Sequence, residues 1–166
     1  MTLPEQVELK EQLELQYKQE LANTQAALDY MAGFGVKPEG RFGLFSSPNT
    51  RQQEIHRLPY THRAKQLVTY ETEQGEFSAK CPFSGLPDFG IVKVEYVPGS
   101  SLLELKSLKY YLLSWRNIGA AQEDITAYLY EDLLKALVDP QYLVVTSVYN
   151  VRGGINTTCV IDSRLQ

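Results

Sequence analysis

The feature that most narrows what this chain can fold into is a hydrophobic period that switches twice. From Lys65 the residues alternate, with Leu67, Thr69 and Glu71 on one side and Val68, Tyr70 and Thr72 on the other. Phe89 to Val97 is a second β-rich run, ended by Pro98-Gly99. Apolar residues then recur at helical spacing. Leu105, Leu108, Leu112 and Trp115 form one stripe, and Ile125, Leu129, Leu133 and Leu137 form another that Asp139-Pro140 ends. Ser101-Leu-Leu-Glu104 has the form of a capping box that opens the first of these helices. Two more β-rich runs, Tyr142 to Tyr149 and Ile155 to Ile161, flank Asn150-Val151-Arg152-Gly153-Gly154, which reads as a hairpin connection of several residues. The predicted order is strand, strand, helix, helix, strand, strand, an α+β domain over residues 65–166.

The first 64 residues read differently. Leu9, Leu13, Tyr17, Leu21 and Leu28 lie near helical spacing in a segment rich in Glu, Gln and Lys, which predicts an amphipathic helix from Pro4 to about Tyr30 that stops at Gly33 and Gly35. Gly35 to Thr61 holds Pro38, Gly40, Gly43, Pro48, Asn49 and Pro59 and little periodicity, so it is expected to be a connector that orders against a neighbouring subunit.

A net charge of −4 on 166 residues gives no dense basic face for a nucleic-acid backbone. No apolar run is long enough to span a bilayer and charge begins at Glu5, so neither a membrane span nor a secretory leader is expected, and the cytoplasm is the expected compartment. The two cysteines, Cys81 and Cys159, form no Cys-x-x-Cys pair and sit beside no histidine at ligand spacing, so no metal site is expected. Cys159 fits a buried inert thiol.

Cys81-Pro82-Phe83-Ser84-Gly85-Leu86-Pro87-Asp88 sets a thiol in a turn-rich loop with a carboxyl group seven residues on. A thiolate attacks carbon, and the atom that becomes negative needs a proton, so the loop carries a candidate nucleophile and a candidate acid. Taken alone, Cys81 fits an inert thiol equally well, and Asp88 fits a turn carboxylate. Glu104-Leu105-Lys106-Ser107-Leu108-Lys109-Tyr110-Tyr111 follows. Lys106 and Lys109 are three apart and share a helix face, a spacing that solvated lysines also show. No Gly-x-Gly-x-x-Gly follows a strand, so Rossmann-type dinucleotide binding is not supported.

These two segments, with Ser114-Trp115-Arg116-Asn117, Glu123 and Arg152-Gly153-Gly154 in that order, resemble the short, single-domain type of the QueF family, the NADPH-dependent 7-cyano-7-deazaguanine reductases of queuosine biosynthesis. The resemblance spans roughly Gln66 to Ile161. It implies a tunnelling fold with a ββααββ core, here with an additional N-terminal helix, in which antiparallel sheets from several subunits close into a barrel. It further implies a homo-oligomer, a pentamer or a decamer, with sites at subunit boundaries. Cys81 then matches the nucleophile that forms a thioimide with the nitrile, and Asp88 the general acid. Glu123 matches the residue that recognises the guanine-like edge, with Glu104 and Ser107 as helpers on the substrate side. Lys106, Lys109, Arg152 and Gly153 match contacts to NADPH.

Two positions depart from the family pattern. Gln122 stands where histidine is common, and Ala121 where an aromatic residue often stands, so proton carriage or stacking there must come from elsewhere. Two other readings compete. An amidinotransferase of QueF-like type shares the thioimide but accepts an amine, and lacks the Glu-Leu-Lys-Ser-Leu-Lys helix start that this chain keeps. A non-catalytic protein binding a deazapurine or pterin on the same fold would not need both Cys81 and Asp88.

Overall fold

The computed structural model describes residues 3–33 and 45–165. Helix α1 (Leu3–Gly33) runs for 31 residues. Its described side chains are mostly exposed, including Leu13, Tyr17 and Leu21, so the apolar positions pack on little within this chain. What supports the helix locally is a set of i, i+4 pairs: the Gln16 amide donates to Glu20 at 3.1 Å, Gln19 to Asn23 at 3.2 Å and Gln25 to Asp29 at 2.8 Å.

The body is an antiparallel sheet covered by two helices. At its centre, β4 (Pro87–Val97) carries two short strands end to end along one edge. These are β2 (Val68–Glu71), in register from Val68 opposite Tyr96, and β3 (Phe77–Lys80), in register from Phe77 opposite Gly90. On the other edge lies β6 (Tyr142–Arg152), followed by β7 (Ile155–Asp162). Alternation puts Val92, Val94 and Tyr96 of β4 and Leu143 and Val145 of β6 on one buried face. Helices α2 (Leu105–Ser114) and α3 (Gln122–Leu137) cover that face, and Ile125, Leu129, Leu133 and Leu137 of α3 are fully buried there. The Asp139-Pro140 stop appears as expected, with Val138 and Asp139 both at positive φ directly after the helix.

Several local expectations differ from the structure. Ser101 does not cap α2. Ser101–Leu103 forms β5, paired with β1 (Arg57–Pro59), and the Ser101 hydroxyl donates to the Leu137 carbonyl at the end of α3. The cap is Glu104, whose carboxylate accepts from the amides of Lys106 and Ser107 at 2.8 Å each. Leu105 drops out of the apolar stripe and is exposed. The final hairpin is tighter than expected: β6 runs on to Arg152, its ladder slipping between Tyr149 and Arg152, and Gly153 and Gly154 alone make the turn at φ 54° and 82°.

The segment read as a connector is partly built into the body. Residues 34–44 lie outside the described part, but Phe45 onward packs. The Ser46 amide donates to Asn117 O at 2.7 Å and Gly119 donates to Ser46 O at 3.0 Å. Arg51 is buried against α3, where its guanidinium forms a two-pronged ion pair with Asp132, Nε to Oδ2 at 2.6 Å and Nη2 to Oδ1 at 2.9 Å.

Candidate active site

The loop between β3 and β4 explains the spacing of Cys81 and Asp88. Lys80 faces Pro87 and Ala79 faces Asp88 in the ladder, and the Cys81 amide donates to Leu86 O at 2.9 Å. Two residues apart on facing strands, Cys81 and Asp88 are diagonal neighbours on one face of the hairpin, a relation that puts Cα atoms roughly 7–8 Å apart. The turn closes through a bond from Gly85 N to Cys81 O at 2.8 Å, with Gly85 at φ 68°, in the left-handed region where glycine is favoured. Both side chains are buried in this chain, Cys81 at 7% and Asp88 at 4% exposure.

Burial pushes the Cys81 thiol up, but hydrogen bonds from the Ser84 hydroxyl, the backbone at Ser84 and Phe83, and Arg152 together outweigh it, so the thiol titrates below its ordinary value. Arg152 reaches this spot because the end of β6 runs beside the start of β4, Tyr149 facing Gly90. Its Nη2 also pairs with Oδ1 of Asp88. One cation therefore meets both the thiol and the carboxyl group. The sequence marked Arg152 for the cofactor; in the chain alone it lies on Cys81 and Asp88. Ser84 was not singled out at all, although a serine two residues before the loop closes is a turn signal in its own right: its hydroxyl accepts from the Leu86 amide at 3.3 Å.

Glu123 is exposed in the first turn of α3, where the N-cap residue, Ala121, offers no side chain to the free amides. It lies close enough to act on the buried Tyr149 and the half-buried Cys159. The hydroxyl of Tyr149 is pushed up chiefly by burial and further by Cys159 and Glu123, and Cys159 is pushed up by burial with a smaller part from Glu123. The Gln122 carbonyl accepts from the Thr126 hydroxyl at 2.9 Å.

Glu104 and Ser107, expected beside the substrate, are engaged in the backbone of α2. Besides the capping bonds, the Ser107 hydroxyl donates to Glu104 O at 2.8 Å and accepts from the His56 amide at 2.9 Å. Bonds from the Lys106 and Ser107 amides hold the exposed Glu104 carboxylate below the usual range. Those amides are therefore not free for a phosphate, and any anion at this helix start must be held by side chains. Lys106 and Lys109 are both exposed there. Lys109 overlooks a cavity of about 220 Å³ between α2 and the sheet, floored by Val92, Val94, Leu108 and Leu112 and rimmed by Glu71, Glu73 and Glu76. Gly153 sits in the exposed β6–β7 turn. Among the described residues no cluster of three or more His, Cys, Asp or Glu has metal-holding geometry, and no helix is long and apolar enough to cross a membrane.

Comparison with known proteins bears on this arrangement. A family model described as QueF-like protein matches residues 87–166. Proteins named NADPH-dependent 7-cyano-7-deazaguanine reductase from Thermotoga petrophila and Thermotoga maritima are each 55% identical over 128 residues, covering 76% of this chain and 91% of theirs. The chain belongs to the QueF family. A reductase of the same name from Caldicellulosiruptor bescii is 40% identical over 121 residues, 72% of this chain and 90% of its own. The crystal structure of an archaeosine synthase QueF-Like in the apo form superposes with a TM-score of 0.53 at 30% identity, covering 58% of this chain and 92% of that one. An alignment of 128 residues in a chain of 166 necessarily takes in residues 45–123. The similarity to other QueF-family proteins thus begins well before Gln66 and includes the Arg51 segment along with Cys81, Asp88 and Glu123.

Proposed function

We propose that this chain reduces the nitrile of 7-cyano-7-deazaguanine to the aminomethyl group, with NADPH as reductant and a cysteine thioimide as the covalent intermediate. Reduction and its cofactor follow from family membership and from reductases 55% identical over most of the chain. The observation that carries the covalent reading is the Cys81–Asp88 pair, on one face of a hairpin with the thiol held below its ordinary value.

The Cys81 thiolate adds to the nitrile carbon, one C–N π bond breaks, and the nitrogen takes a proton from Asp88, giving the neutral thioimide. Two NADPH bound in turn would each supply one hydride, so that nitrile, two NADPH and two protons become amine and two NADP⁺. Between those transfers the carbon–sulfur bond breaks and Cys81 leaves as thiolate, for which Arg152 is a suitable counter-charge. For Asp88 to give up a proton it must be protonated when the nitrile arrives, so Arg152 must loosen its hold on that carboxyl group as substrate enters. Glu123 accepts hydrogen bonds from the amino and ring N–H groups of the base, and a competitor lacking them leaves a desolvated carboxylate unpaired, a cost of several kcal/mol by rough rule. Lys106 and Lys109 are exposed cations suited to the phosphates of the cofactor, with Gly153 leaving the hairpin tip open for close approach.

The assembly proposed is the tunnelling-fold barrel of several subunits, pentameric or decameric, in which the sheet of each chain continues into the next. Free thiols at Cys81 and Cys159 suit a reducing cytoplasm. The likeness to an archaeosine synthase supports a second reading, transfer of an amine to the same thioimide. One assay separates the two: NADPH consumption with 7-cyano-7-deazaguanine as substrate, for wild type and Cys81→Ala. Two NADPH per nitrile, lost in the variant, supports the reductase. A substrate adduct on the wild type without NADPH consumption overturns it in favour of amine transfer.

A further inference from the structure

Both Cys81 and Glu123 leave from one small ladder, and what holds that ladder from behind is the segment carrying Arg51. The stretch Asn117–Gly119 lies between two others. On one side the Lys80 amide donates to Ile118 O at 2.8 Å, and Cys81 is the next residue. On the other side Ser46 bonds to Asn117 and Gly119, and the Phe45 ring lies so close over Gly119 that an added Cβ would come within 2.4 Å of it. Four residues past Gly119 the chain reaches Glu123. Residues 45–48 thus back the Asn117–Gly119 stretch on the side away from Lys80, while the Ile118 side chain is buried in the core.

Phe45 packs on Gly119 and Pro48 is buried, and the polar anchor that ties residues 45–48 to α3 is Arg51. Its Nη1 donates to Pro48 O at 2.8 Å, while the other two nitrogens take both oxygens of Asp132, and the Tyr111 hydroxyl donates to Asp132 Oδ2 at 2.8 Å. The guanidinium lies 4.5 Å from the centre of the Tyr128 ring and 5.7 Å from that of Trp115. A buried ion pair is a poor source of stability compared with apolar packing, but it is directional, and a planar fork fixes both position and angle.

We propose that Arg51 is a positioning residue for the reaction: through Pro48, Ser46 and the Asn117–Gly119 stretch it sets the placement of Cys81. This rests on Cys81 being the nucleophile. A misplacement of order 1 Å between reacting atoms slows a covalent step by up to ~100-fold, while hydrogen bonds to the base at Glu123 persist. The expected signature is a slower covalent step with substrate binding unchanged.

The test is the rate of mass-adduct formation on the full-length protein at rising concentrations of 7-cyano-7-deazaguanine without NADPH, normalised to titratable sites. The variants are Arg51→Met combined with Asp132→Asn, which removes the fork without stranding a charge, and Phe45→Ala, a milder change should the first fail to fold. Expected is a limiting rate about tenfold lower at half-saturation within twofold of wild type. A limiting rate equal to wild type in a folded variant overturns the proposal, as does a loss that lies only in half-saturation. If the wild type itself forms no adduct, the nucleophile reading fails and takes this inference with it; unchanged kinetics in the variants removes this inference alone.

Discussion

At the residue scale the thiol of Cys81 is set by a contest between burial, which raises it, and donors that lower it. Below its pKa a thiol loses about tenfold in thiolate per pH unit, so a lowered pKa carries reactivity into more acidic solution. Removing a donor while leaving the burial reverses this. Ser84→Ala and Arg152→Ala should each move the midpoint of iodoacetamide alkylation of Cys81 upward and slow the reaction near neutral pH by about fivefold. The rate is followed as a function of pH on the Cys81 peptide by mass spectrometry, and unmoved midpoints in both variants would show the donors to be idle. The second residue-scale prediction concerns Asp132, whose side chain and that of Arg51 are each only 6% exposed. Asp132→Ala strands the guanidinium, and the expected loss is about 3–5 kcal/mol in urea unfolding. A loss under 1 kcal/mol would mean that water reaches Arg51 and the pair is not truly buried.

At the scale of elements, the two helices were legible because each repeats an apolar residue every three or four positions, and β4, β6 and β7 because their runs of β-formers are long enough to exceed chance. β3 was not, since four residues that are nearly all buried show no alternation. Ser101-Leu-Leu-Glu104 misled because a capping box is a local signal, while the Ser101 hydroxyl was claimed by Leu137, 36 residues away. The same holds for the site. Cys81 and Asp88 could be named from the loop, but their shared face needs the β3–β4 register, and the arrival of Arg152 depends on the β6 slip. Nothing local pairs Arg51 with Asp132 across 81 residues. The β4–β6 ladder offers a test of how closely site and sheet are joined. A Cβ on Gly90 would lie 2.6 Å from the Val148 carbonyl oxygen, a backbone atom that cannot rotate aside. Gly90→Ala should therefore part the strands two residues from Asp88 and cost about 1–3 kcal/mol. Turnover, measured beside urea unfolding, should fall further than the lost folded fraction explains. Activity per folded molecule equal to wild type would show that the site tolerates the shift.

For the whole molecule, the direction of α2 matters most. It begins after β5, where the Leu103 amide donates to the Tyr96 hydroxyl near the end of β4, and finishes at Trp115 beside β3. Lys106 therefore sits at the far end of the sheet from Cys81 and Asp88, and Lys109 one turn along. At a rise of about 1.5 Å per residue these lysines stand roughly 9–14 Å along α2 from its Trp115 end, which sets a cofactor held by them back from the thiol of the same chain. In a ring of subunits the far end of one chain can lie against the near end of its neighbour, which argues for a site shared between chains. Mixing Cys81→Ala subunits with Lys109→Ala subunits under exchange conditions reads this out. If each site takes its thiol from one chain and its cofactor lysine from another, random assembly restores wild-type sites in about a quarter of cases, and activity rises to about that fraction of wild type from two inactive parents. If thiol and lysine serve the same chain, every site carries one lesion and activity stays at the level of the parents, although native mass spectrometry finds mixed assemblies. The acidic rim of Glu71, Glu73 and Glu76 opposite Lys109 sharpens the expectation. Those carboxylates repel a phosphate within the isolated chain, so in the proposed assembly a neighbour would bring compensating cations, and NADPH affinity should then fall on dilution to single subunits.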